Sequence, residues 1–280
     1  MNVLVPAKRC ARRRRPALRW YGGKWRVAKR LIDLFPPHRV YVEPFGGAAS
    51  VLLRKPRSYG EVYNDLDSEV VNLFRVLRDD RLAPRLVKKL RLTPFAREEF
   101  DACMPRCEDP VERARRLVAL SFMGFGSNAH VRSTTGFRGN VTRIGSTPAH
   151  DWAGYPDALI QTIERFQGVV VEHRAASDVI SRYDKPDTLF YVDPPYIQST
   201  RARYGAHRKY AVEMDMQGHR ELLMQLRSVA GMVVLSAYQH PLYTRSLIGW
   251  RQVEFDAMAD GARPRKEIVW LNHAAAEAVT

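Results

Sequence analysis

The chain has 280 residues, enough for one large domain or one domain with an insertion, and 45% of them are hydrophobic, ample for a core. Its 45 Lys and Arg against 30 Asp and Glu leave a formal charge of +15, a field that attracts polyanions. No apolar run approaches the ~20 residues of a bilayer span, and three cysteines, an odd number, argue against a disulfide framework.

The basic residues recur along the whole chain rather than on one amphipathic segment, which favours nucleic acid over a membrane surface as the partner. The reduced cysteines suit a cytoplasmic setting. Cys103 and Cys107 bracket "MPR" without a second Cys or His pair at zinc-site spacing, so no metal is expected there.

The first stretch, MNVLVPAKRCARRRRP, has no apolar signal core and carries four consecutive arginines, so residues 1–16 read as a flexible basic arm. Arg19-Trp20-Tyr21-Gly22-Gly23-Lys24 then sets a glycine pair between aromatics and a cation. Taken alone it reads as a helix start with a buried tryptophan. Residues 40–53, VYVEPFGGAASVLL, predict a strand, a glycine turn and a helix start. GEVYNDLDSEVVNLFRVLRD predicts a second strand ending near Asn64-Asp65, then a helix with Val70, Val71, Leu73, Phe74 and Leu77 inward. Strand, turn, helix, strand, helix implies a parallel sheet.

From 80 to 165 the pattern turns helical, and 126–147 is polar, glycine-bearing and basic, too long for a plain connection. Strand-like runs return at 168–172, 188–192 and 231–236, and KEIVWLN closes the chain as a last strand. The expected organisation is an α/β sheet in two halves, 17–79 and 166–280, around an inserted, mainly helical region over 80–165.

Doubly wound sheets bind nucleoside cofactors where strands end on glycine turns. Here the turn is Glu43-Pro44-Phe45-Gly46-Gly47-Ala48, and Asp65 lies at the end of the next strand, where a carboxylate can grip ribose hydroxyls. The turn is neither G-x-G-x-x-G nor a P-loop, so a nucleoside without phosphates, such as S-adenosylmethionine, fits better than a dinucleotide.

"FYVDPPYI" at 190–197 leaves a strand on Asp193 and two prolines. A Pro-Pro pair ends a strand wherever it occurs. It would equally stiffen a turn holding Asp193, the Pro194 carbonyl, Pro195 and Tyr196 in one geometry.

Together, "WYGGK" at 20–24, "YVEPFGGAASV" at 41–51, "YNDLDSEVVNLF" at 63–74 and "FYVDPPY" at 190–196 resemble the Dam-like (D12 class) family of DNA adenine-N6 methyltransferases. Weaker similarity continues through "STRARY" at 199–204, "HRELL" at 219–223, "VVLSAY" at 233–238 and "EIVWLN" at 267–272. The resemblance implies a Rossmann-like, S-adenosylmethionine-dependent methyltransferase with an inserted DNA-recognition domain, acting as a monomer on double-stranded DNA in a bacterial or phage-infected cytoplasm. It implies that Trp20, Gly22, Gly23, Lys24, Glu43, Phe45, Gly46, Gly47 and Asp65 hold the cofactor, with Asp178 and Asp193 as further cofactor-side acids. Arg132, Arg138, Arg143 and Arg201 are the expected DNA contacts. The middle segment, FMGFGSNAHVRSTTGFRG, matches too faintly for a target sequence to be carried over.

Under that resemblance, Asp193 and the Pro194 carbonyl accept the two hydrogens of an adenine amino group and aim its lone pair at a methyl sulfonium. Tyr196 is expected to stack on a base that has left the duplex. No cysteine sits in a Pro-Cys-Gln context, which argues against cytosine-C5 chemistry. Asp193 favours adenine-N6 over cytosine-N4, where relatives carry Ser. A catalytically silent DNA-binding protein and a cytosine-N4 enzyme are the alternatives.

Overall fold

The computed structural model describes residues 16–126, 136–142, 145–201, 210–259 and 263–279, with the backbone alone for 257–259 and 263–265. One seven-stranded sheet organises these residues. Its strands are β1 Val40–Glu43, β2 Gly60–Asn64, β3 Val169–Glu172, β4 Thr188–Val192, β5 Met232–Ala237, β6 Arg251–Ala259 and β7 Arg263–Leu271. Across the sheet they run β3-β2-β1-β4-β5-β7-β6. The first five are mutually parallel, and β7 is antiparallel to both β5 and β6. This is the expected Rossmann-like α/β sheet.

Strand periodicity divides the core between two faces. Tyr41, Leu189, Tyr191, Val234 and Val269 enter one apolar cluster, whereas Val42, Phe190, Val192, Val233 and Trp270 enter the other. The second face is covered by α8 Ala176–Tyr183, α9 Met216–Leu226 and α10 Pro241–Ser246. The first is covered by α1 Ala28–Ile32, α2 Ser68–Leu77, and α3 Leu82–Leu92 through α4 Arg97–Ala102, α5 Pro110–Met123, α6 Pro148–Ala153 and α7 Tyr155–Phe166. The closing α11, His273–Glu277, adds Ala275 to that side. Helices from the 80–165 stretch therefore share a core with the sheet. Phe74 of α2 and Phe166 of α7 stack with centroids 4.2 Å apart.

The inward residues expected of α2 are all buried, and Asp67 caps the helix by accepting from Glu69 N. The helix expected after the glycine turn does not form. Gly47 (φ 47°) and Ala49 (φ 52°) are left-handed, which interrupts a right-handed helix at its first turn. Residues 50–55 form tight turns instead, closed by Leu53 N to Ala49 O and Lys55 N to Val51 O.

Between β1 and β4 the strand order reverses, leaving a crevice at the carboxyl ends of the strands. Among the described residues no helix is long and apolar enough to cross a membrane.

Candidate active site

A cavity of about 480 Å³ occupies that crevice. Its wall brings together the 20–24 segment, the 43–48 turn, Asp65 to Asp67, Tyr191, Asp193, Pro195 and residues 210–215. The four sequence blocks, at 20–24, 41–51, 63–74 and 190–196, meet here.

Asp193 follows β4 directly, and its carboxylate is clamped by Lys24, whose Nζ lies 2.8 Å from each carboxylate oxygen. The same ammonium donates to the Gly22 carbonyl at 2.8 Å and to the Tyr196 hydroxyl. Tyr196 Oη in turn donates to Glu267 Oε1 at 2.7 Å, and Glu267 lies 3.5 Å from Lys24 Nζ. One ammonium thus serves two carboxylates. Burial pulls the Lys24 pKa down, but Asp193 and Glu267 outweigh burial and raise it. Burial also raises Asp193, to about 6, with Glu267 adding to the rise and Lys24 opposing it. The ammonium is held charged while the two acids compete for it.

Asp65 and Glu43 shape the neighbouring wall. Asp65 accepts from Gly47 N and Asp67 N, both at 2.8 Å, through different oxygens, so each oxygen keeps a lone pair for a ligand. Burial raises Asp65 to about 6 and Glu43 to about 7. The glycines are demanded by packing as well as by any ligand. A Cβ on Gly46 would stand 2.2 Å from Tyr63 Cε2, and one on Gly47, already at positive φ, would meet Trp20 Nε1 at 2.7 Å.

Residues 20–246 match the D12 class N6 adenine-specific DNA methyltransferase family, more than three quarters of the chain. The chain belongs to that family. Among curated proteins it is 25% identical to a DNA adenine methylase of Salmonella typhi, with 74% of each chain covered, and 24% identical to the DNA adenine methylase of Escherichia coli K12, again over 74% of each. It is 22% identical to the modification methylase LlaI of Lactococcus lactis subsp. lactis. That match takes in 97% of this chain but only 46% of the Lactococcus protein, so the chain spans about half the length of that relative.

Seen as a D12-class site, most expected residues converge. Trp20, Gly22, Gly23, Lys24, Glu43, Phe45, Gly46, Gly47, Asp65, Asp193 and Pro195 all line the cavity. Lys24 lines the cavity while its ammonium donates to Asp193, Gly22 and Tyr196. Tyr196 departs from its expected role: its ring is 2% exposed, packs on Tyr238 at 4.3 Å between centroids, and offers no open face for a base. Its hydroxyl, taken by Lys24 and Glu267, holds it inward. Pro194 is buried behind the wall that Pro195 lines.

Asp178 sits exposed in the first turn of α8, off the cavity wall. Arg201 pairs with Glu213 at 2.6 Å and donates to the Tyr196 carbonyl, so it braces the cavity's rim. Arg138 follows the short bridge between Gly124 and Phe137, and its N–H donates to Met123 O at 2.7 Å. Arg132 and Arg143 lie outside the described residues.

Tyr191, Tyr210 and Glu267 are among the residues of the site that were not singled out from the sequence, as are the acids Asp67, Glu213 and Asp215. Tyr191 and Tyr210 line the cavity. Glu267 had a signal, an acid opening the otherwise apolar run EIVWL.

Proposed function

We propose that this chain transfers a methyl group from S-adenosylmethionine to the N6 amino group of adenine in double-stranded DNA. The observation that carries this reading is Asp193, a carboxylate fixed by Lys24 at the edge of a nucleoside-sized cavity in a D12-class fold.

The cavity's chemistry suits that cofactor. Its charged lining, among the described residues, is Glu43, Asp65, Asp67, Asp193, Glu213 and Asp215 against the single cation Lys24. Such a wall repels phosphates and accommodates a sulfonium and an α-ammonium. Asp65 would take ribose hydroxyls with its remaining lone pairs, while Trp20 and Phe45 supply apolar surface. Asp193 and Glu43 would face the charged methionine end. When bound, S-adenosylmethionine supplies a methyl group activated on a positively charged sulfur.

The protein's own part is orientation and charge placement. Asp193 accepts an amino hydrogen and draws the N6 lone pair out of conjugation. Lys24 keeps the carboxylate from rotating, and the two prolines keep the turn from flexing. With Tyr196 held inward, Pro195 and the rim at Tyr210 are the surfaces left to flank the base. The 80–165 region, with Arg132, Arg138 and Arg143, would read the DNA, and the basic arm would add affinity for phosphates. We place the enzyme, as a monomer, in a bacterial cytoplasm.

Incubating the full chain with double-stranded DNA and methyl-labelled S-adenosylmethionine, then digesting the DNA to nucleosides, tests the reading. Label in N6-methyldeoxyadenosine is the expected result. Label in N4-methyldeoxycytidine, or none in DNA, would overturn it.

A further inference from the structure

Glu267 enters the site from β7, twenty-one residues past the end of the family match at 246. It is 4% exposed on a strand whose following residues, Ile268 to Leu271, are all buried and apolar. A lone carboxylate there costs several kcal/mol in desolvation, and an apolar residue would pack as well. Its partners are the informative feature: Tyr196 Oη at 2.7 Å and Lys24 Nζ at 3.5 Å, the two side chains that flank Asp193.

We propose that Glu267 is a positioning residue for methyl transfer, holding Lys24 and Tyr196 in place and giving Lys24 a counterion when Asp193 takes a proton. The inference rests on the adenine-N6 reading above. When N6 bonds the methyl carbon, that carbon's bond to sulfur would break with its electron pair left on sulfur, while one N6–H bond breaks with its pair left on nitrogen and the proton bonds to an Asp193 oxygen. That step neutralises Asp193. Without Glu267 it would strand a buried ammonium, a costly state. With Glu267 the Lys24 charge stays paired, so Asp193 remains basic enough to accept the proton.

The titratable groups around Asp193 come from several elements. The 20–24 segment contributes Lys24, β1 contributes Glu43, β4 and its turn contribute Tyr191 and Tyr196, and the stretch before α9 contributes Tyr210. Tyr243 comes from α10 and Glu267 from β7, with Tyr238 beyond Tyr196. The tyrosines stay neutral, all of those with a resolved shift being pushed upward by burial. Burial lifts Glu43 as it lifts Asp193. Glu267 is the acid besides Asp193 that lies within 3.5 Å of Lys24, the other acids of the cavity wall being Glu43, Asp65, Asp67, Glu213 and Asp215.

The test is single-turnover methylation at saturating cofactor and DNA, followed from pH 5 to 9. Glu267→Gln keeps an acceptor for Tyr196 but removes the charge. Its acid limb should move down by about one pH unit, the effect of one nearby charge in a partly screened interior. Its plateau should fall about three- to tenfold as Asp193 loses basicity, while DNA binding stays within about twofold, since the phosphate contacts that set it are untouched. Glu267→Asp, which restores a carboxylate, should return the limb to the wild-type position. A folded Glu267→Gln protein with a wild-type limb would overturn the proposal. Should the glutamine variant not fold, Tyr196→Phe, which removes the hydroxyl joining Glu267 to Lys24, decides: a slowed single turnover in a folded protein supports the network and a wild-type rate overturns it. A wild-type chain that methylates no adenine at any pH refutes the adenine-N6 reading, whereas a failed shift with an active wild type refutes only the role of Glu267.

Discussion

Glu43 and Leu52 are joined across the glycine turn: Glu43 Oε1 accepts from Leu52 N at 2.7 Å while also accepting from Tyr41 Oη at 2.7 Å. One buried oxygen therefore ties β1 to the turns that replace the expected helix, and the acid is lifted from 4.5 to about 7 by its burial.

That shift makes folding pH-dependent in a defined direction. Between about 4.5 and 7 the native chain keeps a proton on Glu43 that the unfolded chain releases, so this group costs stability as pH rises through the window. Integrated, the penalty above pH 7 is on the order of 3 kcal/mol. Glu43→Gln, always neutral, should gain on wild type by up to that amount between pH 5 and pH 8 in urea unfolding. A pH-independent difference between the two proteins would contradict the assignment.

Lys24 balances two carboxylates, Glu267 buried and Asp193 half-buried. Lys24→Met should destabilise the fold by up to about 3–5 kcal/mol, because it leaves Glu267 buried and Asp193 half-buried without a cation. Adding Asp193→Asn removes one of the orphaned charges, so the double variant should lose clearly less than the two single losses combined. Denaturant unfolding of the four proteins measures the coupling. Additive losses would mean that the Lys24–Asp193 contact carries no net coupling.

Asp65→Ala should weaken S-adenosylmethionine binding by about 1.5–3 kcal/mol, the worth of charge-assisted hydrogen bonds to ribose hydroxyls. Because Asp65 is raised to about 6, wild-type affinity should climb as pH rises through 6, and the alanine variant should lack that step. Calorimetry at pH 5.5 and pH 7.5 reads both effects. Equal affinities for the two proteins at pH 7.5 would remove Asp65 from the site.

For DNA reading, alanine replacements of Arg132, Arg138 and Arg143 separate base contacts from phosphate contacts. A base contact costs about 1–3 kcal/mol at one sequence position, whereas a phosphate contact weakens all sequences alike. At least one positional effect is expected across binding measurements on a set of altered duplexes. Uniform losses for all three would place these arginines on the backbone only.

Much of this architecture is legible in the chain. The run TLFYV becomes β4 residue for residue, and GMVVLS becomes β5 shifted by one, because continuous β-branched and aromatic runs bounded by turns have few other uses. The edge strand β6 was not legible: RQVEFDAMA is half polar, suiting an edge with one neighbour. The glycine turn misled in a specific way, since the positive φ of Ala49 leaves no mark in sequence. At the site, the cofactor wall followed from local motifs. The inward turn of Tyr196 did not, because its cause is Glu267, 71 residues away. The contacts of Lys24 to Asp193 and Glu267 were similarly hidden, since both partners lie more than 160 residues away.

The most direct test of the account is Asp193→Ala, assayed in a single turnover at saturating cofactor. Asp193 is the acceptor at the point where positive charge develops on N6, and removing one preorganised partner of this kind costs roughly 10²–10³ in rate, more when the partner is charged. The variant is expected to fold, to retain DNA binding supplied by the basic surface, and to lose methyl transfer by at least that factor. A folded Asp193→Ala protein that methylates adenine at the wild-type rate would contradict the account.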